Sequence, residues 1–494
     1  MAAVAVIILW CFLLGLLWYW STRRPATDFP PGPRPLPLVG NIFEFSSDPP
    51  HIVFLKLGRR YGDIFSIKIG QRWTVVLNSV RATRQALLKQ PITFAGRPDL
   101  SSFELLSGGG KSIALSDYSV TWAQNRKLLH TSLRNLITGD KKRFESFILG
   151  FTPELSSVLD ETKGEPFDPK ELICQLVYST LGKLCFGVSY AFNDPKLVET
   201  MKGGQAFLAL VGNGLPTDFF PSFSWIPFER VNSLLSFCDK NFTRVRKAID
   251  VHRQTSIPGK VRDFIDVMLE AQADTKETGV ESISDDFIAT AVTDIHGGGT
   301  DTTIVTLYWT LALMVEFPHV QDKIAELADE VIGRERLPTL ADRDRLAYVV
   351  ATVHEVLRYS TKLPLCVPHS TTKDTTLDGY FIPKDTMVMI NIWAMHRDEK
   401  YWKDPYNFKP EHFLDDSGTV RQHPESFMPF STGRRVCIGE SMVKGELFLI
   451  LTWLFQHYKF SKVPGTEDQS YIEHGQVLVA NEVRPYKIVA TKRF

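Results

Sequence analysis

The chain has 494 residues, of which 44% are hydrophobic, so it can bury a large core and is not globally disordered. Lysine plus arginine and aspartate plus glutamate number 56 each, so no net charge favours nucleic acid or an acidic surface as a partner. The six cysteines contain no CxxC pair, which is typical of reduced thiols and not of a disulfide framework.

The first 20 residues carry no charged side chain, and about 20 apolar residues suffice to span a bilayer as a helix. Arg23 and Arg24 follow, and positive residues after a span favour a cytoplasmic location for the rest of the chain. A cleaved secretory signal is the alternative, but it lacks a positive leading segment and a small-residue cleavage site. The sequence predicts an uncleaved transmembrane anchor helix over 1–20 and a basic, proline-rich hinge over 21–50.

Residues 51–494 show no composition break, which predicts one catalytic domain. Ile64–Ile69 and Thr74–Leu77 are rich in β-formers on either side of a glycine turn and predict a hairpin. Helical patterns dominate up to about residue 360, and a second β-rich stretch covers 375–391. The predicted fold class is mainly α with a smaller β-rich portion, an α+β arrangement.

The longest predicted helix runs from Ser284 to Glu316 and contains three consecutive glycines at 297–299. Each glycine costs about 1 kcal/mol relative to alanine in a helix, so three together indicate a close approach or a local opening. Asp301 and Thr302 follow, and a carboxylate and a hydroxyl there can deliver protons to a reacting group. The alternative for Thr302 is a hydrogen bond back to its own helix.

Two pairs of residues at helical spacing are further candidates. Trp122 and Arg126 lie one turn apart, so both can face the same partner. Glu355 and Arg358 share one face of an apolar helix. Alone they would form an ordinary surface ion pair, but their apolar flanks favour an internal, structural role.

Cys437 lies in a turn rich in glycine and arginine, Phe430-Ser-Thr-Gly-Arg-Arg-Val-Cys-Ile-Gly439. A thiolate is an anionic haem ligand that donates electron density to iron and favours O–O cleavage. Gly433 and Gly439 allow the backbone to crowd around the sulfur, and Arg435 offers a cation for a carboxylate of the same cofactor. The alternative is a buried structural cysteine; the fixed spacing of five residues favours the ligand.

These ten positions resemble the F-x-x-G-x-R-x-C-x-G signature of the cytochrome P-450 superfamily. Further motifs of that family follow its order along the chain. They are Trp122-x-x-x-Arg126, Gly298-Gly-Thr-Asp301-Thr302, Glu355-x-x-Arg358 and Pro410-Glu-His412-Phe413. His412 stands where the family most often has arginine, which puts a full Glu–Arg–Arg cluster in doubt. The stretches 390–400 and 342–346 look most like the steroid 17-hydroxylase branch.

The resemblance implies a cytochrome P-450 fold with an N-terminal anchor, and haem b held by Cys437 as the metal ligand. It implies propionate contacts from Arg435, Trp122, Arg126, Arg97 and His369, and catalysis through Thr302 and Asp301. Glu355 and Arg358 would be the structural pair. Candidate pocket residues are Asp294, Gly298, Ala291, Cys366 and Val367. For Asp294 a satisfied core carboxylate and a hydrogen-bond acceptor for substrate remain open alternatives.

The resemblance also implies a monooxygenase of the endoplasmic reticulum membrane, with its catalytic domain in the cytoplasm. Electrons would come from NADPH through a flavoprotein reductase, with cytochrome b5 as an additional candidate donor, because the chain has no nucleotide-binding fingerprint of its own. Steroid hydroxylation is the leading substrate prediction, and broad oxidation of xenobiotics or fatty acids is the alternative. A reductase-independent haem-thiolate isomerase and a non-enzymatic haem protein are the other two classes.

Overall fold

The computed structural model of the chain describes residues 10, 15, 18 and 22–494, apart from 213, 258, 279–282 and 474–479. The predicted anchor over 1–20 therefore lies outside the described residues, except at isolated positions. Among the described residues, no single helix has both the length and the apolarity to cross a bilayer. Asp285–Glu316 and Pro318–Val331 pass that test only as a pair, with a bend of 101° between them.

Helices make up most of the described chain, which confirms the mainly helical prediction. The α-helices are α1 Pro50–Tyr61, α2 Val80–Arg84, α3 Ser101–Leu106, α4 Val120–Thr138, α5 Lys141–Leu149, α6 Thr152–Glu161, α7 Pro169–Phe186, α8 Pro195–Val211, α9 Pro216–Phe219, α10 Glu229–Thr255, α11 Phe264–Thr278, α12 Asp285–Glu316, α13 Pro318–Val331, α14 Ala347–Ser360, α15 Ile392–His396 and α16 Glu440–His457. Short 3-10 turns cover Ile42–Phe45, Pro221–Phe223, Leu340–Asp344, Pro410–Phe413 and Gly433–Arg435, and Gln85–Lys89 forms one π turn.

In the described part of the chain, the strands form one sheet of four strands and two sheets of two strands. They are β1 Ile64–Ile69, β2 Arg72–Leu77, β3 His369–Ser370, β4 Thr375–Leu377, β5 Tyr380–Ile382, β6 Met387–Ile390, β7 Tyr458–Lys462 and β8 Ile488–Lys492. The largest sheet has the order β1-β2-β6-β3, so it joins the predicted early hairpin to the later β-rich stretch. β2 and β6 pair in parallel with Thr74 opposite Met387, which brings the segment after α14 onto the same sheet as the N-terminal hairpin.

The long helix α12 is the central element of the core. It begins where predicted, because the side chain of Ser284 accepts a hydrogen bond from the backbone N–H of Phe287. Its C-terminal half is buried on every side, and the main apolar cluster surrounds it with residues from α7, α14 and α16. A helix that is apolar all round must be buried in a large core, so α12 can position groups deep inside the protein.

The three glycines of α12 have two different surroundings. A Cβ atom added to Gly299 would lie 3.2 Å from Leu181 of α7, so this position serves close helix packing. A Cβ atom added to Gly297 or Gly298 would meet nothing within 4 Å, and both residues are exposed within an otherwise buried helix. Both predicted reasons for the glycines therefore apply: Gly299 allows close helix packing, and the adjacent Gly297 and Gly298 leave open space beside the helix.

Glu446, in the middle of α16, predicts a pH dependence of stability. Its carboxyl is 2% exposed, and burial raises its pKa from 4.5 to about 7. The folded protein thus binds a proton more tightly than the unfolded chain, so the free energy of unfolding falls as the pH rises from about 4.5 to 7. We expect Glu446→Gln to stabilise the protein by about 1–3 kcal/mol at pH 8 and by much less at pH 5. Urea unfolding at both pH values measures this, with Glu440→Gln on the same helix as the control; equal effects at both pH values would contradict it.

Candidate active site

Cys437 lies between the one-turn helix Gly433–Arg435 and the start of α16. Its backbone N–H donates to the carbonyl of Phe430 at 3.0 Å, which closes the turn. Gly433 has φ of 77°, and a Cβ atom there would lie 2.5 Å from the carbonyl oxygen of Leu87. Only glycine fits such a position, so the predicted role of this residue in shaping the turn agrees with the geometry.

The side chain of Cys437 is exposed, yet its surroundings are protein and not bulk water. Desolvation by burial raises the pKa of the thiol, against the backbone N–H of Gly439 and the nearby charges of Lys362 and Arg126, which act in the opposite direction. An exposed but desolvated sulfur faces a space inside the molecule. A sulfur in such a place is suited to act as a metal ligand, because metal coordination deprotonates a thiol.

Three arginines gather near this turn, and the one carboxylate that acts on Arg97 and Arg435, that of Asp117, forms no ion pair with them in the described part of the chain. No ion pair joins Arg97, Arg126 or Arg435 to an acidic side chain in the part of the chain that the structure describes. Burial, together with the charges of the other two arginines, lowers the pKa of Arg435 to about 8. Burial likewise lowers the pKa of Arg97 to about 10. Like charges held together in a desolvated place cost free energy, so this arrangement favours a bound anion.

The same arginines are held in place by backbone carbonyls and by Trp122. The guanidinium carbon of Arg435 lies 3.8 Å from the centroid of the Trp122 ring, and that of Arg126 lies 5.7 Å from it. The indole N–H of Trp122 donates to the carbonyl of Ile113 at 3.1 Å, which fixes the ring. The other carbonyl acceptors are Ala95, Ile113 and Ser116 for Arg435, Ala114, Val367 and Pro368 for Arg97, and Val436 for Arg126.

His369 is buried beside this cluster, and its Nδ1 lies 2.7 Å from the carbonyl oxygen of Phe94. Since a carbonyl only accepts, Nδ1 carries the proton and the neutral ring has none left on Nε2. Burial and the charge of Arg97 lower the pKa of His369 to about 3. A carboxylate contact through Nε2 therefore requires a second proton on this ring.

Asp301 and Thr302 follow the open glycines of α12. The hydroxyl of Thr302 donates to the carbonyl of Gly298 at 2.6 Å, which is the local bond considered as its alternative role. Burial, and secondarily the charge of Glu482, raises the pKa of Asp301 to about 6. Lys362 has the opposite influence on the same carboxyl. A carboxyl with such a pKa can hold or release a proton near neutral pH.

The candidate pocket residues have different surroundings. Ala291 is buried in the core, whereas Cys366 and Val367 are half-buried on the segment that leads from α14 to β3. The carboxylate of Asp294 accepts from the hydroxyl of Ser112 at 2.8 Å and from the backbone N–H of Ile113 at 2.8 Å. These donors favour the core-carboxylate alternative, in which Asp294 ties α12 to the segment before α4.

Glu355 and Arg358 are completely buried and form a two-point ion pair with both N–O distances at 2.7 Å. His412 joins them, with its Nδ1 3.2 Å from Oε1 of Glu355. Histidine therefore takes a place in the cluster where arginine is the commoner residue. Arg358 also donates to three backbone carbonyls, that of His396 at the end of α15 and those of Pro405 and Asn407 in the segment that follows.

His396 connects this cluster to the cysteine turn. Its carbonyl accepts from Arg358 at 2.9 Å, and its Nε2 accepts from the backbone N–H of Met428 at 3.1 Å. Met428 lies just before the turn that carries Cys437. The buried ion pair is thus linked to the cysteine turn through one histidine, which is consistent with the structural role predicted for the pair.

A protein-family model described as Cytochrome P450 matches residues 30–489. The chain belongs to the cytochrome P450 family. It is 37% identical to cytochrome P450 1A5 of Gallus gallus over 467 residues, covering 91% of this chain and 88% of that protein. It is 36% identical to cytochrome P450 1A1 of Limanda limanda over 488 residues, covering 94% and 92% of the two chains.

The cytochrome P450 family and these relatives make the chain an oxidoreductase, a haem-thiolate monooxygenase. Membership of the family implies a haem cofactor, electrons from a redox partner and lipophilic substrates. The site fits haem on two observations. A cysteine sulfur faces an internal space, and a group of arginines without acidic partners matches the two propionates of the cofactor.

Sequence reasoning missed several residues of this cytochrome P450 site. Lys362, whose charge acts on both Asp301 and Cys437, was not among the candidates. The donors Ser112 and Ile113, and the helix contact at Leu181, were also missed. Only Lys362 carried a usable signal, since it is a lone cation in the apolar stretch between Arg358 and the candidate pocket residues.

Proposed function

We propose that this cytochrome P450 inserts one oxygen atom of O2 into C–H bonds of a broad range of lipophilic molecules, while the second leaves as water. The observation that carries the proposal is an exposed cysteine sulfur near buried arginines that form no ion pair, in a protein whose long helix α12 has open glycines. Haem b, when bound, would supply the redox chemistry and the activation of dioxygen. The remaining tasks fall to side chains of this chain.

In this proposal Cys437 supplies the metal ligand, and the N–H of Gly439 supports the charge on its sulfur. Arg97, Arg126 and Arg435 hold the propionates, which replace the missing carboxylate partners of these buried cations. Trp122 acts through the face of its ring, which positions Arg435. His369 contributes to propionate binding only when both of its ring nitrogens are protonated.

Asp301 and Thr302 would serve as the proton-delivery pair. The carboxyl of Asp301 holds a proton that can be exchanged near neutral pH, and the hydroxyl of Thr302 can turn from the Gly298 carbonyl toward the open glycine face. Gly298 then has two functions, since it accepts the resting hydrogen bond and leaves space for substrate. Ala291, Cys366 and Val367 remain candidate pocket residues.

Thr302→Ala tests the proton-delivery role. We expect this variant to fold and to bind ligands normally, but to form product roughly 10- to 100-fold more slowly and to divert electrons to hydrogen peroxide. Product, peroxide and NADPH consumption are measured together in a reductase-coupled assay. Thr302→Ser, which keeps the hydroxyl, should restore the ratio of product to NADPH. Unchanged coupling in Thr302→Ala would remove Thr302 from the mechanism.

The substrate class separates the two candidate functions. The relatives reported above carry the name cytochrome P450 1A and not steroid 17-hydroxylase, so they support the broad oxidation of lipophiles better than the steroid prediction. Steroid hydroxylation is the second candidate, supported by the resemblance of the stretches 390–400 and 342–346. Reductase-coupled turnover of steroids, fatty acids and foreign lipophiles, compared side by side, tests both. Turnover restricted to steroids would overturn the broad proposal.

Electrons would reach the site from NADPH through a flavoprotein reductase, with cytochrome b5 as a second candidate donor. We place the protein on the endoplasmic reticulum membrane through residues 1–20. A second apolar surface supports this location, because Phe43 and Trp225 are 66% and 77% exposed. The loop that carries Trp225 follows Phe219, whose backbone carbonyl accepts a hydrogen bond from the backbone N–H of Gln71 in the turn of the early hairpin. Flotation with liposomes of the full chain and of a variant lacking 1–20 tests the anchor; equal flotation would contradict it.

A further inference from the structure

The stretch 108–117, just before α4, packs along one face of α12. In the first turn of that helix, Asp286 pairs with Lys111 at 3.1 Å. One turn later, a Cβ atom added to Gly108 would lie 2.5 Å from the hydroxyl oxygen of Thr290. Because residues four positions apart share a helix face, these contacts follow one face of α12 towards its middle.

Asp294 makes the next contact on that face, and this contact is made with the backbone as well as with a side chain. Its carboxylate accepts from the hydroxyl of Ser112 and from the backbone N–H of Ile113, both at 2.8 Å. The hydroxyl oxygen of Ser112, which is completely buried, accepts in turn from the N–H groups of Ala114 and Leu115 at 3.1 and 3.0 Å. Burial raises the pKa of the Asp294 carboxyl to about 6, so above neutral pH it is an ionised acceptor that fixes the whole turn.

Ile113 joins this anchor to the buried arginines. Its N–H donates to Asp294, whereas its carbonyl accepts from the indole N–H of Trp122 and from the guanidinium of Arg435, both at 3.1 Å. Two further carbonyls of the same segment also accept from these arginines at 2.8 Å, that of Ala114 from Arg97 and that of Ser116 from Arg435. One short peptide segment therefore connects α12 with the side chains that would hold the propionates.

We propose that Asp294 is a positioning residue for haem, which fixes the segment 112–117 so that the arginines bonded to its carbonyls meet the propionates. The inference rests on the propionate role given to these arginines in the proposed function, and it deepens that role. Without the carboxylate, the N–H of Ile113 and the hydroxyl of Ser112 lose their acceptor in a buried place, so the segment must shift to find others. Because Asp294 lies one turn before the open Gly298, it also connects the substrate side of the site with the propionate side.

Asp294→Leu in the haem-loaded full chain tests this inference, because leucine has a similar branched shape and no acceptor. We expect haem to pass to an excess of apomyoglobin about 10- to 100-fold faster than from the wild type. The propionate bending bands in the resonance Raman spectrum should shift, which a loss of stability elsewhere would not cause. Asp294→Asn keeps one acceptor oxygen and should give a smaller change in both measurements. If Asp294→Leu does not retain haem, the comparison is made with Asp294→Asn.

Asp286→Asn is the matched control. Asp286 lies on the same face of α12 and contacts the same stretch through Lys111, but this pair is exposed and makes no bond to the segment 112–117. Its loss should leave haem release and the propionate bands unchanged. Unchanged release and bands in the Asp294 variants, or equal changes in Asp286→Asn, would overturn the inference.

Two further variants complete the test. Ser112→Ala should cause the same kinds of change, and combining it with Asp294→Leu should add little, since both remove one shared hydrogen bond. Arg435→Met tests the propionate role itself. Unchanged release and bands in Arg435→Met would refute that role, and this inference with it. Changes in Arg435→Met beside none in the Asp294 variants would refute only the positioning by Asp294.

Discussion

Replacing Cys437 by alanine is expected to remove the thiolate and with it the monooxygenase activity. After reduction and treatment with carbon monoxide, the variant should lack the red-shifted absorbance band that thiolate-ligated haem gives in proteins of this family. The physical reason is that no other sulfur lies in the same turn, so the variant offers no thiolate ligand at this position. Absorbance spectra and the haem content per chain measure the effect.

Cys366→Ala is the control for this experiment. Cys366 is half-buried and near the charge of Arg97, and burial raises the pKa of its thiol to about 11. It lies on the segment between α14 and β3 and not in the turn, so its loss should leave the carbon-monoxide band in place. An unchanged band in Cys437→Ala, or a lost band in Cys366→Ala, would contradict the ligand assignment.

The main elements of the fold were predictable because their signals are local. The ends of α12 are marked by a serine cap and by a proline that follows the helix, and the hairpin β1–β2 turns at Gly70 with φ of 60°. Such signals need only neighbouring residues. The parallel pairing of β2 with β6 was not predictable in this way, because it joins strands from opposite halves of the chain.

The site shows the same division between local and distant information. The turn around Cys437 is readable because glycine, arginine and cysteine stand at fixed spacing within ten residues. The positions of the arginines depend on carbonyls of distant loops, such as that of Ser116 for Arg435. Because every residue has a backbone carbonyl, the sequence does not indicate which carbonyls will accept these hydrogen bonds. Lys362 stands out in the sequence as a lone cation, but its electrostatic influence on Asp301 and Cys437 arises only in the folded chain.

Glu355→Gln should have the largest effect on stability, with a loss of about 3–5 kcal/mol in the free energy of unfolding. Glu355 and Arg358 are both completely buried, so losing the carboxylate charge leaves a guanidinium charge without compensation. The carboxylate also accepts from the backbone N–H of Lys409 at 2.8 Å and contacts His412. Chemical denaturation followed by circular dichroism measures the change.

Asp378→Asn is the matched control, because Asp378 also forms a two-point pair with an arginine. In that pair, however, the side chain of Arg81 is 61% exposed. An exposed pair contributes about 0–1 kcal/mol, so the control should be nearly neutral. Similar losses in the two variants would show that geometry matters here and burial does not.

Arg358→Met separates two functions of the buried pair: charge compensation, and support of the cysteine turn through hydrogen bonds to backbone carbonyls. This change leaves the Glu355 carboxylate uncompensated and also removes the donor from the carbonyls of His396, Pro405 and Asn407. The double variant Glu355→Gln with Arg358→Met restores charge balance but not those hydrogen bonds, so it should regain only part of the lost stability. Because His396 also accepts from Met428 before the cysteine turn, both variants should bind haem less tightly than Asp378→Asn. Full recovery of the free energy of unfolding in the double variant would show that the pair only balances charge and does not support the cysteine turn.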